Sequence, residues 1–435
     1  MSEADGLPYG VEDGFTAEEL GTEVADKIDL NGIEIDPKSP PAGLKLCEDP
    51  GVLLNECMSI QRIHGWPPPH DHSFHPRACI TPGGDFLLMF CSGLNHGCTS
   101  EGIHDVNDMV SYRSSDRGRT WQGPFLPWKV PYGHNSCSLL VPRGSKRIYV
   151  FCEEMSKEWY TPWASGGITM RWSDDGGHTW SPPKLIEPVN DPGYRGLTHM
   201  QMCETDAGTW LIGTYTVKVR EGTELHQNRR TDRQYLLRSE DKGETWELLP
   251  DARPNGWFIE EFDVMLEGRP INLGEGRVLF CARAPGGHSY GFRSEDDGKT
   301  WSGPEPFSFT HPCSPPMVWH LSDGKTLIAL HHNRYDPKNP KHDHSQRGEL
   351  WFSLSEDEGR TWSEPRFVLA GAAVVKGSPN MSYDDLIADN GDLHLFIDFQ
   401  FRQVLHVRFK ESDLQAFPTR ADIAYHGEVF SISEV

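Results

Sequence analysis

Five stretches of the chain alternate apolar and polar positions with the period of a β-strand: DMVSYRS, GGITMRWS, RQYLLRS, SYGFRS and ELWFSLS. Each leads into one pattern, Ser-x-Asp-x-Gly-x-Thr-Trp, found as SSDRGRTW, SDDGGHTW, SEDKGETW, SEDDGKTW and SEDEGRTW. The copies start at Ser114, Ser173, Ser239, Ser294 and Ser355, between 55 and 66 residues apart. Such spacing marks a repeat architecture. Within each copy the Asp can accept bonds from nearby backbone N–H groups, and the Gly supplies the positive φ of a tight turn. The Trp then offers a large ring to bury between neighbouring units.

A second hairpin with a Gly turn lies earlier in every unit: ACITPGGDFLLMF, SLLVPRGSKRIYVF, MQMCETDAGTWLIGTY, GEGRVLFCAR and MVWHLSDGKTLIAL. A sixth unit, MSYDDLIADNGDLHLFIDF running on to FRQVLHVRF, keeps that hairpin and lacks the eight-residue pattern. About four strands in about 60 residues make one propeller blade, so the prediction is all-β: a six-bladed β-propeller carrying five such hairpins. Residues 1–45 have little periodicity and are expected to form an N-terminal extension, with the propeller over 46–435. A strand near Gly51–Ile63, or the tail GEVFSISEV, is expected to complete a blade and close the ring.

Composition narrows the partners. Lys and Arg number 41 against 64 Asp and Glu, a net charge of −23 that disfavours nucleic acid and anionic membrane surfaces. No apolar run reaches the roughly 18 residues of a membrane span, and the acidic start MSEADGLPYGVEDGF lacks a secretory pattern. The expectation is a soluble cytoplasmic protein, with the oligomeric state left open. Ten cysteines without a CxxC pair argue against a disulfide scaffold or a zinc ribbon.

The five repeated octapeptides resemble the Asp boxes of the sialidase (neuraminidase) superfamily, whose members are six-bladed propellers. The resemblance covers most of the chain. It implies that Asp116, Asp175, Asp241, Asp296 and Asp357 are structural, because Asp boxes sit on outer hairpins away from the catalytic face. Candidate chemistry belongs instead at the entry of each innermost strand, where a propeller's channel opens. Counting back from the first Gly turn of each unit finds His75, His134 with Asn135, His199, Ser314 and Tyr383, while Glu261 is placed by pattern.

The resemblance assigns roles to several of these. FIEEFDVML followed by VLFCAR is similar to the family segment with a catalytic glutamate, which falls on Glu261; SYDDL resembles the segment with the nucleophilic tyrosine, Tyr383. A phenol is a poor nucleophile unaided, so the glutamate would take its proton. The loop TSEGIHDVNDMVSYRS matches the place of the acid/base aspartate, giving Asp105, with Asp108 next. Family members hold a substrate carboxylate with three arginines. Here Phe74 and His75 stand where the first would be, Arg77 follows, Arg283 or Arg293 lies nearest the second, and Arg347 matches the third. Strand alternation turns Arg77 away from the first arginine's direction. Arg402 and Arg334 are further basic candidates at the rim, and His75, His134 and His199 are expected to line the channel.

The implied activity is hydrolysis of a terminal acidic sugar, sialic acid or a relative, with retention and with no cofactor. Two alternatives stay open. One is a metal-assisted propeller enzyme, such as a uronate lyase or hydrolase, using the axial histidines. The other is a propeller that binds carbohydrate without turnover. The His-rich stretches HGWPPPHDHSFH and HHNRYDPKNPKHDHSQR read as solvated loops around the cleft before they read as metal chelators.

Overall fold

The computed structural model describes residues 23–65, 72–93, 107–130, 137–154, 167–198, 200–219, 230–339, 346–374, 380–400 and 403–428. Six antiparallel sheets surround one axis as the blades of a β-propeller. Named by the innermost strand first, blade 1 runs His72–Ile80, Phe86–Gly93, Asn107–Ser114 and Gln122–Val130. Blade 2 runs Cys137–Leu140, Ile148–Glu154, Gly167–Ser173 and Lys184–Leu185; blade 3 runs Cys203–Glu204, Trp210–Val219, Arg230–Ser239 and Glu247–Leu249. Blade 4 is Leu266–Gly274, Arg277–Arg283, Ser289–Ser294 and Ser302–Pro306.

Two blades borrow strands from the start of the chain. Blade 5, Met317–His320, Leu327–His331, Glu349–Ser355 and Arg366–Gly371, is extended outward by Val52–Asn55 and then Leu44–Cys47. Blade 6 contributes Asp385–Asp389, Asp392–Phe399 and Gln403–Lys410, and its outermost strand is Ser59–Gly65. The segment that precedes blade 1 thus closes the last blade, which leaves no open seam between first and last. At that closure Arg62 Nε donates to Gln403 Oε1 at 2.6 Å across 341 residues of sequence.

The packing follows from alternation. Strands buried on both faces between blades read as nearly continuous apolar runs, and the cores lie between neighbouring sheets rather than within one. Leu87, Met89, Leu139 and Val150 fill the gap between blades 1 and 2; Phe86, Phe90, Phe396 and Val404 fill that between blades 6 and 1. Burying one such side chain contributes about 1.5–3 kcal/mol.

Each Asp box is a closed hydrogen-bonded turn. In the first, Asp116 accepts from Ser114 Oγ at 2.8 Å, from the Arg119 and Thr120 N–H groups at 3.0 and 2.9 Å, and from Thr120 Oγ1 at 2.7 Å. Those bonds, the Thr120 N–H foremost, hold its carboxyl well below the usual range. Arg117 and Gly118 both take positive φ, and a Cβ on Gly118 would collide with the His406 ring of blade 6. The box Trp rings reach the preceding blade as well: Trp121 packs on Phe396, Trp180 on Trp128, and Trp246 on Phe151.

Candidate active site

Three inner strands begin in the same unusual way. His75 in blade 1, Glu267 in blade 4 and Tyr383 in blade 6 have φ of 52°, 51° and 66°. None is glycine, and the left-handed region costs an ordinary residue about 1–2 kcal/mol. In blades 1 and 4 the ladder shifts register at this point, between Phe74 and Arg77 and between Leu266 and Arg269. Three separate blades therefore hold strain at one level of the axis, a pattern that accompanies functional sites.

At that level Tyr383 donates its hydroxyl to Glu267 Oε1 at 2.8 Å. Arg283, the last residue of the second strand of blade 4, donates from Nη1 to Glu267 Oε2 at 2.7 Å and to the Tyr383 hydroxyl oxygen at 3.2 Å. The ion pair is buried on both sides, with 5% and 3% of the side chains exposed. Burial, then the Glu267 charge, raises the Tyr383 phenol above its ordinary value, with Arg283 and Arg347 opposing. The phenol therefore stays protonated while keeping a carboxylate in contact with its proton. The His75 ring lies against the Tyr383 ring, centroids 3.7 Å apart and planes 25° apart.

Arg347, fully buried, donates from Nη2 to the Cys313 carbonyl. Its Nε and Nη1 make no hydrogen bond among the described residues. Burial, with Arg283 nearby, lowers its guanidinium to about 10. Glu153, the next-to-last residue of the second strand of blade 2, accepts the Thr198 N–H at 2.5 Å. Burial, with a contribution from the Glu267 charge, pushes its carboxyl well above the ordinary range. The tier thus pairs one carboxylate held by a guanidinium with a second carboxyl kept towards its neutral form.

Two residues further along each strand a lower tier stops the axis. Asp385 Oδ2 accepts from the Ala78 N–H at 2.9 Å and from Gln201 Nε2 at 2.7 Å, while Oδ1 accepts from Trp319 Nε1 at 2.9 Å. Arg269 Nη1 lies 3.8 Å from Oδ1, and Gln201 Oε1 accepts the Leu139 N–H at 2.8 Å. With Asp385 itself, these residues represent all six blades. A fully buried carboxylate is tolerated here because cations and N–H donors surround it.

The structure corrects two expected positions. The carboxylate beside Tyr383 is Glu267 rather than Glu261. Residues around Glu261 fold back on themselves, Ile259 bridging Val264 through a turn with Asp263 at φ 58°, which leaves Glu261 exposed at the tip. Arg77, expected among the substrate-binding residues, is buried one tier down and donates from Nη1 to the Tyr383 carbonyl at 2.7 Å. That contact makes Arg77 a support for the tyrosine's backbone.

Tyr383, Arg283, Arg347 and His75 gather around the axis. Ser314, the expected entry of blade 5, is buried beside Ser382. Asp105, His134, His199 and Arg402 lie outside the described residues. Asp108 pairs with Lys129 at 2.8 Å on neighbouring strands, Arg293 donates to the Glu358 carbonyl of the next blade, and Arg334 binds Glu349 and Asp29. Among the described residues no cluster of three His, Cys, Asp or Glu side chains could hold a metal ion, and no helix is long and apolar enough to cross a membrane.

Glu267 and Glu153 were missed by sequence reasoning, although signals for both exist. The blade 4 hairpin turns through LGEGR, and nine residues back from Gly276 lies Glu267. Val278 faces the box serine Ser294, and five residues on is Arg283; Ile148 faces Ser173, and five residues on is Glu153. The same offset from the box serine therefore locates both residues.

A family model described as a BNR repeat-like domain matches residues 97–395. No curated protein matches. Among solved structures, the Hadza microbial sialidase Hz136 is similar with a TM-score of 0.60 and 18% identity, over 80% of this chain and 67% of that one. A protein of unknown function from Dyadobacter fermentans has a TM-score of 0.59 and 17% identity, over 83% and 99%. The NanB sialidase from Streptococcus pneumoniae has a TM-score of 0.59 and 12% identity, over 79% and 69%. At such identities the likeness establishes the fold.

Proposed function

The chain belongs to the BNR repeat-like domain family, and from that membership we propose that it is a sialidase-like exo-glycoside hydrolase that removes a terminal acidic sugar with retention. The observation that carries the reading is the triangle of Tyr383, Glu267 and Arg283, with contacts of 2.8, 2.7 and 3.2 Å. Glu267 takes the phenol proton as the Tyr383 oxygen attacks the anomeric carbon and the bond to the leaving oxygen breaks. Arg283 stabilises the charge on both partners, and an acid protonates the leaving oxygen. Asp105 is the proposed acid. In the second step water, deprotonated by that group, displaces the tyrosine, whose oxygen recovers its proton from Glu267. Two displacements restore the starting configuration.

Two further features support the reading. Arg347 presents two buried N–H groups that a carboxylate could accept, and carboxylates match a guanidinium bidentately. The tier around Asp385 stops the axis below the tyrosine, so the site suits a chain end better than a polymer threaded through. Chromogenic sialosides and uronides, with the anomer of the product followed by NMR, test the proposal. Release of the retained anomer of an acidic sugar is expected. Inversion, or binding without turnover across the panel, would overturn it, and the second outcome would favour a carbohydrate-binding propeller.

A further inference from the structure

Behind Tyr383 lies a second buried network that the proposed chemistry does not use. His332 follows the second strand of blade 5. Leu327 faces the box serine Ser355, and five residues on is His332, so it holds in blade 5 the position that Arg283 holds in blade 4. Its ring meets Ser382, the residue immediately before the tyrosine. His332 Nε2 is 3.1 Å from Ser382 Oγ and 3.3 Å from Ser314 Oγ, and the two hydroxyl oxygens are 3.0 Å apart.

The proton positions follow from the partners. His332 Nδ1 lies 2.8 Å from the Glu349 carbonyl oxygen, which can only accept, so Nδ1 carries the hydrogen. The His332 backbone N–H donates to His311 Nδ1 at 3.4 Å, and His311 Nε2 donates to the Pro315 carbonyl at 3.2 Å. Both rings are buried, stacked 5.3 Å apart at 5°, and burial lowers both well below the ordinary histidine value. A neutral His332 with its hydrogen on Nδ1 leaves Nε2 as an acceptor for a serine hydroxyl. Both ring nitrogens are thus committed within the protein.

Tyr383 needs such support, because its left-handed backbone persists only if its neighbours hold it. On the carbonyl side Arg77 grips the Tyr383 oxygen, and two residues before the tyrosine the Met381 N–H donates to the Arg347 carbonyl at 3.0 Å. On the amide side Ser382 is fully buried. We propose that His332 is a positioning residue which, through Ser382, fixes the backbone of Tyr383 so that its hydroxyl meets Glu267. The inference rests on Tyr383 being the nucleophile.

The test compares His332→Leu, which removes the acceptor, with His332→Gln, whose amide can place an acceptor near Nε2. His332→Leu should lower kcat about 10–100-fold, since misplacement of a reacting group by about 1 Å costs that much, with KM within about twofold. His332→Gln should recover most of the loss, and adding Ser382→Ala to His332→Leu should cost little more, because the two act as one unit. A second readout is independent of turnover: nitration of Tyr383 by tetranitromethane, followed by peptide mass, should be several-fold faster in His332→Leu and near the parent rate in His332→Gln. Unchanged nitration in His332→Leu, or equal acceleration in both variants, would overturn the proposal. Parent protein that turns over no acidic glycoside would count against the glycosidase reading alone, and the nitration rates would still decide the role of His332.

Discussion

The Asp-box hairpins and the axial tier draw on the same acidic and hydroxyl groups, yet they arrange them in opposite ways. In each box the aspartate is saturated: Asp296, like Asp116, accepts from a serine hydroxyl, a threonine hydroxyl and two backbone N–H groups. The arrangement recurs in five blades almost unchanged. At the axis equivalent positions carry different groups, His75, Glu267 and Tyr383 on the inner strands and Glu153, Arg283 and His332 along the second strands, and the tyrosine, carboxylate and guanidinium satisfy one another across blades 4 and 6. Repetition here accompanies closure of local hydrogen bonds. Divergence at equivalent positions accompanies groups left to act on something else.

Substitutions can break that contrast. Tyr383→Phe should lower hydrolysis on the order of 10⁴-fold or more, while the melting midpoint moves by no more than about 2 °C. Glu267→Gln should lower kcat about 10²–10⁴-fold, and calorimetry should also show a clear loss of stability, because Arg283 would be left as an unpaired buried cation. Asp241→Ala should do the reverse: the midpoint falls by about 2–4 °C as the turn's donors lose their acceptor, and kcat stays within about twofold.

Acid sharpens the contrast further. His394 and His406 meet at 3.0 Å in blade 6, beneath the box of blade 1, and burial lowers His394 to about 4 and His406 well below its ordinary value. Histidines depressed in the folded state give their full stability above the unfolded value near 6.5. That stability declines as pH falls from 6.5 towards 4, since the unfolded chain takes up the protons first. Midpoints measured between pH 7 and pH 5 should therefore drop, and His406→Phe should reduce the drop. The smallest effect is expected from Glu261→Gln, which should change kcat less than about twofold, because that carboxylate sits exposed at a turn.

Much of the architecture was legible because the boxes pin one hairpin in each of five blades from Ser114 to Trp362, and the Gly-turn hairpin at Asn390–Gly391 adds the sixth. The axial residues were harder. Tyr383 and Arg283 could be found by counting and by resemblance, whereas FIEEFDVML offers a pair of glutamates in an apolar run that imitates a strand entry. The left-handed Asp263 reverses the chain there and moves the true entry to Glu267, a backbone choice that periodicity does not report. His332 and Ser382 were obscured differently. A His-His pair reads as a loop or a chelator, and only the register with Ser355 turns one ring towards the axis.

The borrowed outer strand of blade 6 has a consequence for biosynthesis. Ser59–Gly65 leaves the ribosome long before its partner Gln403–Lys410, and the Arg62–Gln403 contact spans 341 residues. At about 5–20 residues per second the first strand waits roughly 20–70 s for its mate. Throughout translation the nascent chain therefore carries an unmatched edge, and Tyr383, encoded in the final blade, meets Glu267 only as the circle shuts.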